Sequence, residues 1–487
     1  MMNKKLLSTA VLAAIGVAGL GSAQAVYVNN DGLGQVLIYP YYSVEGGQDT
    51  YITVVNTTNQ VKAVKVRFLE GMNSQEVLDF NLYLSPYDHW SAMVTESASG
   101  GARLTTQDQS CTVPSIVGRA GSTVDFRSIQ YSDDSVNGIE RTREGYVEII
   151  EMGTVFNVDP PTATNPFRPA AWATHGADGI PANCAGLVNA WRPGGRWAQT
   201  GGAAGLDPVT GGLYGYGMLI NPADGVAAGY DATAFDEFWD PGEFNHSEPG
   251  DVSPSLASGV DFAQVIDGNQ IFDVDFASSI DALSATIMKS SIANDFVLAP
   301  EINAATDWVV NFPTKRFYTN FAWVQEGPNA GAPDADPEPP FTRHWDQRTS
   351  RACENIDIQY WDREERKVLG DVDFSPRPEG AKTQLCKEVN VITFNGESPL
   401  YASDRIRADL GVEYDNGWMQ MGFAEESGRF LVGTELGGGP VVFGGLPVVG
   451  FAVQRYTNGD LGGLLANYMG LVTHKGERSI VSGVPLD

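Results

Sequence analysis

The sequence predicts a mainly β fold: two antiparallel β-sandwich domains with a long loop-rich insertion and one or two short helices. Three observations predict it. Runs in which apolar and polar residues alternate with period two recur between Asn, Gly, Ser and Pro turns. Gly at 55 and Pro at 27 favour tight turns and short strands over long helices. The 487 residues exceed what one core usually fills, and 43% hydrophobic against 19% charged residues suffices to bury cores.

The elements follow in order. Met1–Ala25 carries a basic start (Lys4, Lys5), an apolar Leu6–Leu20 and an Ala23-Gln24-Ala25 site, which reads as a signal peptide cleaved between Ala25 and Val26. The apolar run is short for a membrane anchor, and no later run approaches the ~20 apolar residues that a spanning helix needs. Residues 26–155 then read as an N-terminal sandwich. Its strands are Gln35–Ser43, Thr50–Thr57, Ala63–Leu69, Leu78–Leu84, His89–Thr95 and Gly145–Met152. In Ala63–Leu69, Val64, Val66 and Phe68 point one way and Lys65 and Arg67 the other, as on a sheet with one wet face. Residues 156–300 read as the insertion: Asp159–Tyr216 is dense in Pro, Gly, Ala and Trp, Asp231–Trp239 suits a short helix, and Ser278–Ile292 is a helix capped by Ser278 or Ser279. Residues 301–487 read as a C-terminal sandwich, with strands at Thr306–Arg316, Glu354–Tyr360, Glu388–Phe394, Trp418–Phe423 and Pro447–Tyr456. A membrane β-barrel shares this alternation, but the chain ends SGVPLD rather than in an aromatic-tipped strand.

The cysteines are Cys111, Cys184, Cys353 and Cys386, an even number on an exported chain, and none form C-x-x-C. Three pairings are open; Cys111–Cys184 with Cys353–Cys386 is favoured because each closes within its own half. Free thiols and a zinc site are the alternatives. Charge narrows the partners. Against 60 acidic groups stand 31 basic ones, for a net charge of −29, and removal of the two leader lysines takes it to −31. Such a chain is no phosphate-backbone binder and does not adhere to anionic lipid.

Candidate chemistry is sparse. His89, His175, His246, His344 and His474 never lie at i, i+4, and H-E-x-x-H, G-x-S-x-G and the phosphate-loop pattern are all missing. Tyr360–Glu365 (YWDREE) could supply a glycosidase carboxylate through Glu364 or Glu365, or close a solvated strand end with an Arg363 ion pair. Asp334, Asp336 and Glu338 in one loop, and Asp236, Glu237, Asp240, Glu243, Glu248 and Asp251 in another, are candidate Ca²⁺ ligands or plain solvated acids. Trp172, Trp191, Trp197, Trp239 and Trp345 either stack on sugars or pin loops to a sheet.

Four stretches, Gly32–Thr95, Thr306–Arg316 (TDWVVNFPTKR), Tyr360–Glu365 and Gly445–Val453 (GLPVVGFAV), together resemble a family of uncharacterised exported proteins of Gram-negative bacteria. Ile52–Leu69 is similar to immunoglobulin-like modules of bacterial surface proteins. The resemblance implies immunoglobulin-like sandwiches and brings no activity with it. The expectation is a secreted, non-enzymatic structural or adhesive protein of the cell surface or extracellular matrix, with the periplasm as the other location. It would associate with itself or with surface components, through the Gln35–Ser43 edge and Ca²⁺-bridged acidic loops. A carbohydrate-active hydrolase and a soluble carbohydrate-binding protein are the alternatives.

Cleavage at the Ala-x-Ala site makes one outcome plain: mass spectrometry of exported protein should find Val26 at the N-terminus, and a retained Met1 would refute the leader.

Overall fold

The computed structural model describes residues 24–117, 120–129, 131, 138–319, 337–346, 349–366, 373–375, 383–394, 396–403, 405–409, 415–423, 427–460 and 462–483. These residues are mainly β, in several antiparallel sheets with few helices. In the first half, one sheet runs Tyr27–Val28, Thr233–Asp236, Val36–Ser43, Glu144–Val155, Val61–Glu70, Glu76–Leu84, Cys111–Val113. A second runs Val226–Asp231, Tyr216–Asn221, Asp49–Asn56, His89–Glu96, Ala102–Thr105, Thr123–Asp125. Their facing residues share one core: the Tyr39 hydroxyl donates to the Thr53 carbonyl at 2.6 Å, and the Phe80 and Trp90 rings sit 5.8 Å apart. In the second half a sheet ordered Asp373–Ser375, Ile406–Asp409, Val389–Phe394, Ala304–Asn311, Val449–Asp460, Leu465–Thr473 includes a parallel pair, Val389–Phe394 with Ile406–Asp409.

Several expectations need correction. Gln35–Ser43 is no edge. Val36–Ser43 pairs on both sides, with Thr233–Asp236 and Glu144–Val155, and all eight of its residues are buried because its side chains are apolar or aromatic on both faces. Asp231–Trp239 is not a helix: Val226–Asp231 and Thr233–Asp236 are strands that enter different sheets. The Pro- and Gly-rich stretch holds three short helices, Pro169–Ala173, Cys184–Trp191 and Arg196–Thr200. The capped helix starts as read, with the Ser278 hydroxyl accepting from the Asp281 amide at 3.3 Å. It ends earlier, at Ile287, because Met288–Lys289 leaves to pair with Leu446–Pro447.

The largest departure concerns Lys65 and Arg67. Every residue of Val61–Glu70 is buried, the charged ones included. The outer face of this sheet is covered rather than wet, and its charges are matched in place. Lys62 Nζ lies 2.6 Å from Glu151 Oε1, both fully buried. Arg67 bonds Glu76 at 2.9 Å and Glu148 at 3.2 Å. Arg141 reaches Glu70 at 2.8 Å. Lys65 donates to the backbone carbonyls of Glu248 at 2.9 Å and Asp251 at 3.3 Å, which draws the acidic loop over the sheet. From the second half, Arg316 comes within 3.5 Å of Glu148 and donates to the Ser74 carbonyl at 3.3 Å. Nearby the Val389 amide donates to Gly71, and Asn311 donates to the Pro40 carbonyl, both at 2.9 Å. Two disulfides, Cys111–Cys184 and Cys353–Cys386, close loops of 73 and 33 residues. No helix among the described residues is long and apolar enough to cross a membrane, which says nothing of strands.

Glu388, at this junction, is fully buried, and burial pushes its carboxyl up to about 8 against the pull of Lys315 and Arg316. The folded state thus holds a proton that the unfolded chain releases above its ordinary value of 4.5. Between these two values the unfolded chain binds fewer protons, so this group's contribution to stability falls as pH rises and is spent above about 8. Glu388→Gln should therefore gain on the natural chain from pH 5 to pH 8, by on the order of a few kcal/mol in denaturant titrations. A constant difference across that range would contradict it.

Candidate functional site

Tyr360-Trp361-Asp362 ends the strand Glu354–Asp362, and the charges after it close a turn. The Asp362 carboxylate accepts from the amides of Glu364 at 3.0 Å and Arg366 at 2.8 Å, and from the Arg366 guanidinium at 2.6 Å. Glu364 pairs with Arg363 at 2.7 Å on the surface. The Asp362 carboxylate thus serves the turn, and Glu364 forms an ion pair with Arg363. Trp361 lies directly across from Trp418, and their rings stack 4.1 Å apart at 13° with Trp418 exposed.

The tryptophans of the irregular segments mostly face inward. Trp191, Trp197, Trp239 and Trp345 are buried, and Trp172 is half-buried. Around Trp172, Trp191 and Trp197 the three short helices form a second apolar core on the first sheet, tied by Cys111–Cys184. One hydrogen-bonded chain runs through it. Trp191 Nε1 donates to the Tyr83 hydroxyl at 3.1 Å, which bonds His246 Nε2 at 2.8 Å, while His246 Nδ1 bonds the Gly202 carbonyl at 2.9 Å. A hydroxyl that donates to Nε2 leaves Nδ1 to carry the proton, so the ring is neutral. Burial lowers the imidazole to about 4. Gly202, at φ +84°, is obligatory: a Cβ there would stand 1.8 Å from the His246 carbonyl oxygen.

Asp334 and Asp336 lie outside the described residues. Glu338 is described and its amide donates to the Tyr318 carbonyl at 3.3 Å. In the other acidic loop it is the carbonyls of Glu248 and Asp251 that are engaged, by Lys65. Among the described residues no three His, Cys, Asp or Glu side chains are grouped to hold a metal ion.

Two features escaped the sequence reading. The first is an exposed apolar surface built by the end of the chain. Leu465–Thr473, Lys475–Glu477 and Ser479–Ser482 form the last strand of three successive sheets. The sheet that Ser479–Ser482 completes also contains Phe262–Asp267, Gln270–Asp275, Phe430–Glu435 and Pro440–Gly444. Its inner side chains, such as Val274, Leu431, Val441 and Phe443, are buried. Its outer face carries a row in register, Val432, Val442 and Val481, with Phe430, 39% exposed, on the same strand as Val432. In a different sheet, Leu465 and Tyr468 of Leu465–Thr473 are 56% and 62% exposed. A signal was present: Leu461–His474 has no charged residue in a chain with 60 acids. The second feature is a cavity of about 410 Å³ between the halves, with Lys289 and Arg478 in its wall. No family model, curated protein or solved structure matches the chain.

A neutral, buried His246 has a consequence in acid. The unfolded imidazole takes up a proton below 6.5 while the folded one resists to about 4, so its contribution is present above 6.5 and lost as pH falls through that window. The stability difference between the natural chain and His246→Gln should shift by on the order of 3 kcal/mol across it in urea melts. A pH-independent difference would mean that the ring is charged in the fold.

Proposed function

We propose that the protein is an exported, non-enzymatic structural or adhesive component of the cell surface or extracellular matrix that associates with copies of itself. In this reading its sheets make two immunoglobulin-like antiparallel sandwiches. The observation that supports it best is the outer face of Val432, Val442 and Val481 with Phe430. A contiguous apolar surface in contact with water marks an interaction site. The occupant we assign is a second copy. A chain of net charge −29 repels itself, so two copies approach best through a surface with few charges, and Asp273 and Asp275 are the acids on the strand flanking this row. A two-fold contact would place the same face on both partners and bury both at once. The disulfides are compatible with an oxidising compartment, as an exported chain requires.

A second reading, glycan binding, rests on the stacked Trp361–Trp418 pair with Trp418 exposed. Light scattering at rising concentration decides between them. Molar mass should grow with concentration in the natural chain, and Val442→Lys with Val481→Lys should weaken association by roughly 100-fold, since two ammonium groups would be buried without partners. Ca²⁺ compared with NaCl at matched ionic strength shows whether the acidic loops add bridges. A monomer under all conditions overturns self-association, and glycan binding lost in Trp418→Ala would favour the second reading.

A further inference from the structure

The cavity between the halves has Val28 and Tyr230 on one side and Lys289, Phe451 and Arg478 on the other. Its two cations differ in what they do. Arg478 is spent on the fold. Its guanidinium donates to the carbonyls of Ala285 at 3.1 Å, Thr286 at 2.5 Å and Met288 at 2.8 Å, closing the C-terminal end of the helix Ser279–Ile287. The Lys289 ammonium has no hydrogen bond or ion pair among the described residues, although the side chain is mostly withdrawn from solvent. Its methylene stem runs over Gly476, where a Cβ would come within 3.1 Å of Cδ.

The charges around the ammonium leave it unmatched. Arg478 repels it, and Asp267 attracts it from a distance without an ion pair. Asp231 is exposed at the rim of the cavity. His474 is occupied, bonding the Val309 carbonyl at 3.0 Å and Asn294 at 3.2 Å, and burial lowers it to about 4, so it is neutral. Lys475 and Glu477, on the strand that passes beside it, are exposed. The remaining lining is mixed: Ile266, Ile292 and Phe451 give it apolar surface, and Asn30, Gln264 and Thr473 are polar but uncharged. A withdrawn cation without a counter-ion, in a space large enough for a small molecule and part-lined by apolar side chains, is the complement of a compact organic anion.

We propose that this cavity binds a small aliphatic carboxylate, its carboxylate paired with Lys289 and its hydrocarbon part lying on Ile266, Ile292 and Phe451. One free ammonium matches one carboxylate, whereas a phosphate would call for a convergence of several donors, and Arg478 is already engaged. Burial, aided by Arg478, lowers Lys289 to about 8, and a bound anion would restore its preference for the charged form. Affinity should therefore hold up to about pH 8 and fall roughly tenfold per unit above it.

Calorimetry with sodium hexanoate, hexanamide and inorganic phosphate on the full chain tests this. Hexanoate should bind at pH 7, roughly tenfold more weakly at pH 9, and at least about tenfold more weakly to Lys289→Met, which keeps the stem over Gly476. Hexanamide should bind the natural chain and Lys289→Met alike. The pH profile of the natural chain stands by itself if the variant does not fold. Absence of hexanoate binding at roughly 10 mM, equal affinity at pH 7 and pH 9, or full affinity in folded Lys289→Met overturns the proposal. Phosphate binding tighter than hexanoate overturns the carboxylate assignment.

Discussion

Four charged residues buried on one central strand, Lys62, Lys65, Arg67 and Glu70, constrain the rest of this structure. Taking such groups out of water costs several kcal/mol each unless partners stand ready, and removing one partner of a buried pair typically costs about 3–5 kcal/mol. The partners come from everywhere. Glu148 and Glu151 lie on the adjacent strand, Glu76 across the following turn, Arg141 before the strand Glu144–Val155, and the carbonyls of Glu248 and Asp251 far along the chain. Arg316 closes the set from the second half. The two halves cannot part without exposing Glu148 to water on one side and stripping Arg316 on the other. Their relative placement fixes the junction at which the Lys289 cavity opens.

This matching also shows why the sequence was legible in one direction only. Alternation in Ala63–Leu69 located the strand Val61–Glu70 and its inner residues Val64, Val66 and Phe68. It assigned Lys65 and Arg67 to water because a polar face is ordinarily a wet one. What covers that face is Glu248, Asp251 and Arg316, some 183, 186 and 249 positions from the residues they touch or lie beside, counted from Lys65 and Arg67. No local pattern encodes such a cover. The start of the helix Ser279–Ile287 was readable because its cap is three residues from its partner. Its end was not, because the spacing of Leu283, Ile287 and Ser291 continues past the point where pairing with Leu446–Pro447 takes over. The pairings Cys111–Cys184 and Cys353–Cys386 were readable from the division into halves.

Sites divide in the same way. YWDREE attracted attention because its residues are adjacent, and adjacency is what makes it a turn: Asp362 reaches only as far as Arg366. The tryptophans drew notice as a composition, yet burial of Trp191 and Trp197 depends on His246 and Tyr83, which no window of the sequence joins. Lys289 falls inside the stretch Ser278–Ile292 that reads as a helix, and nothing local sets it apart. Its meaning comes from Arg478, which lies 190 positions from the Met288 carbonyl it holds.

The C-terminal stretch from Leu465 to Ser482 joins these themes. It pairs with Val449–Asp460, Ser291–Val297 and Pro440–Gly444 and itself supplies the last strand of three sheets. Its inward residues His474 and Arg478 line the cavity, and Val481 belongs to the outer valine row. Arg478 also ties the segment to the helix end, so the same guanidinium that completes the helix sets the wall opposite Tyr230. Stripping this stretch from the fold would open three edges, orphan the helix carbonyls and dismantle both surfaces at once. A local change on its outer face, by contrast, leaves the inward contacts in place, because successive residues of a strand point to opposite sides. The apolar face and the cavity are therefore separable by substitution even though one segment builds them.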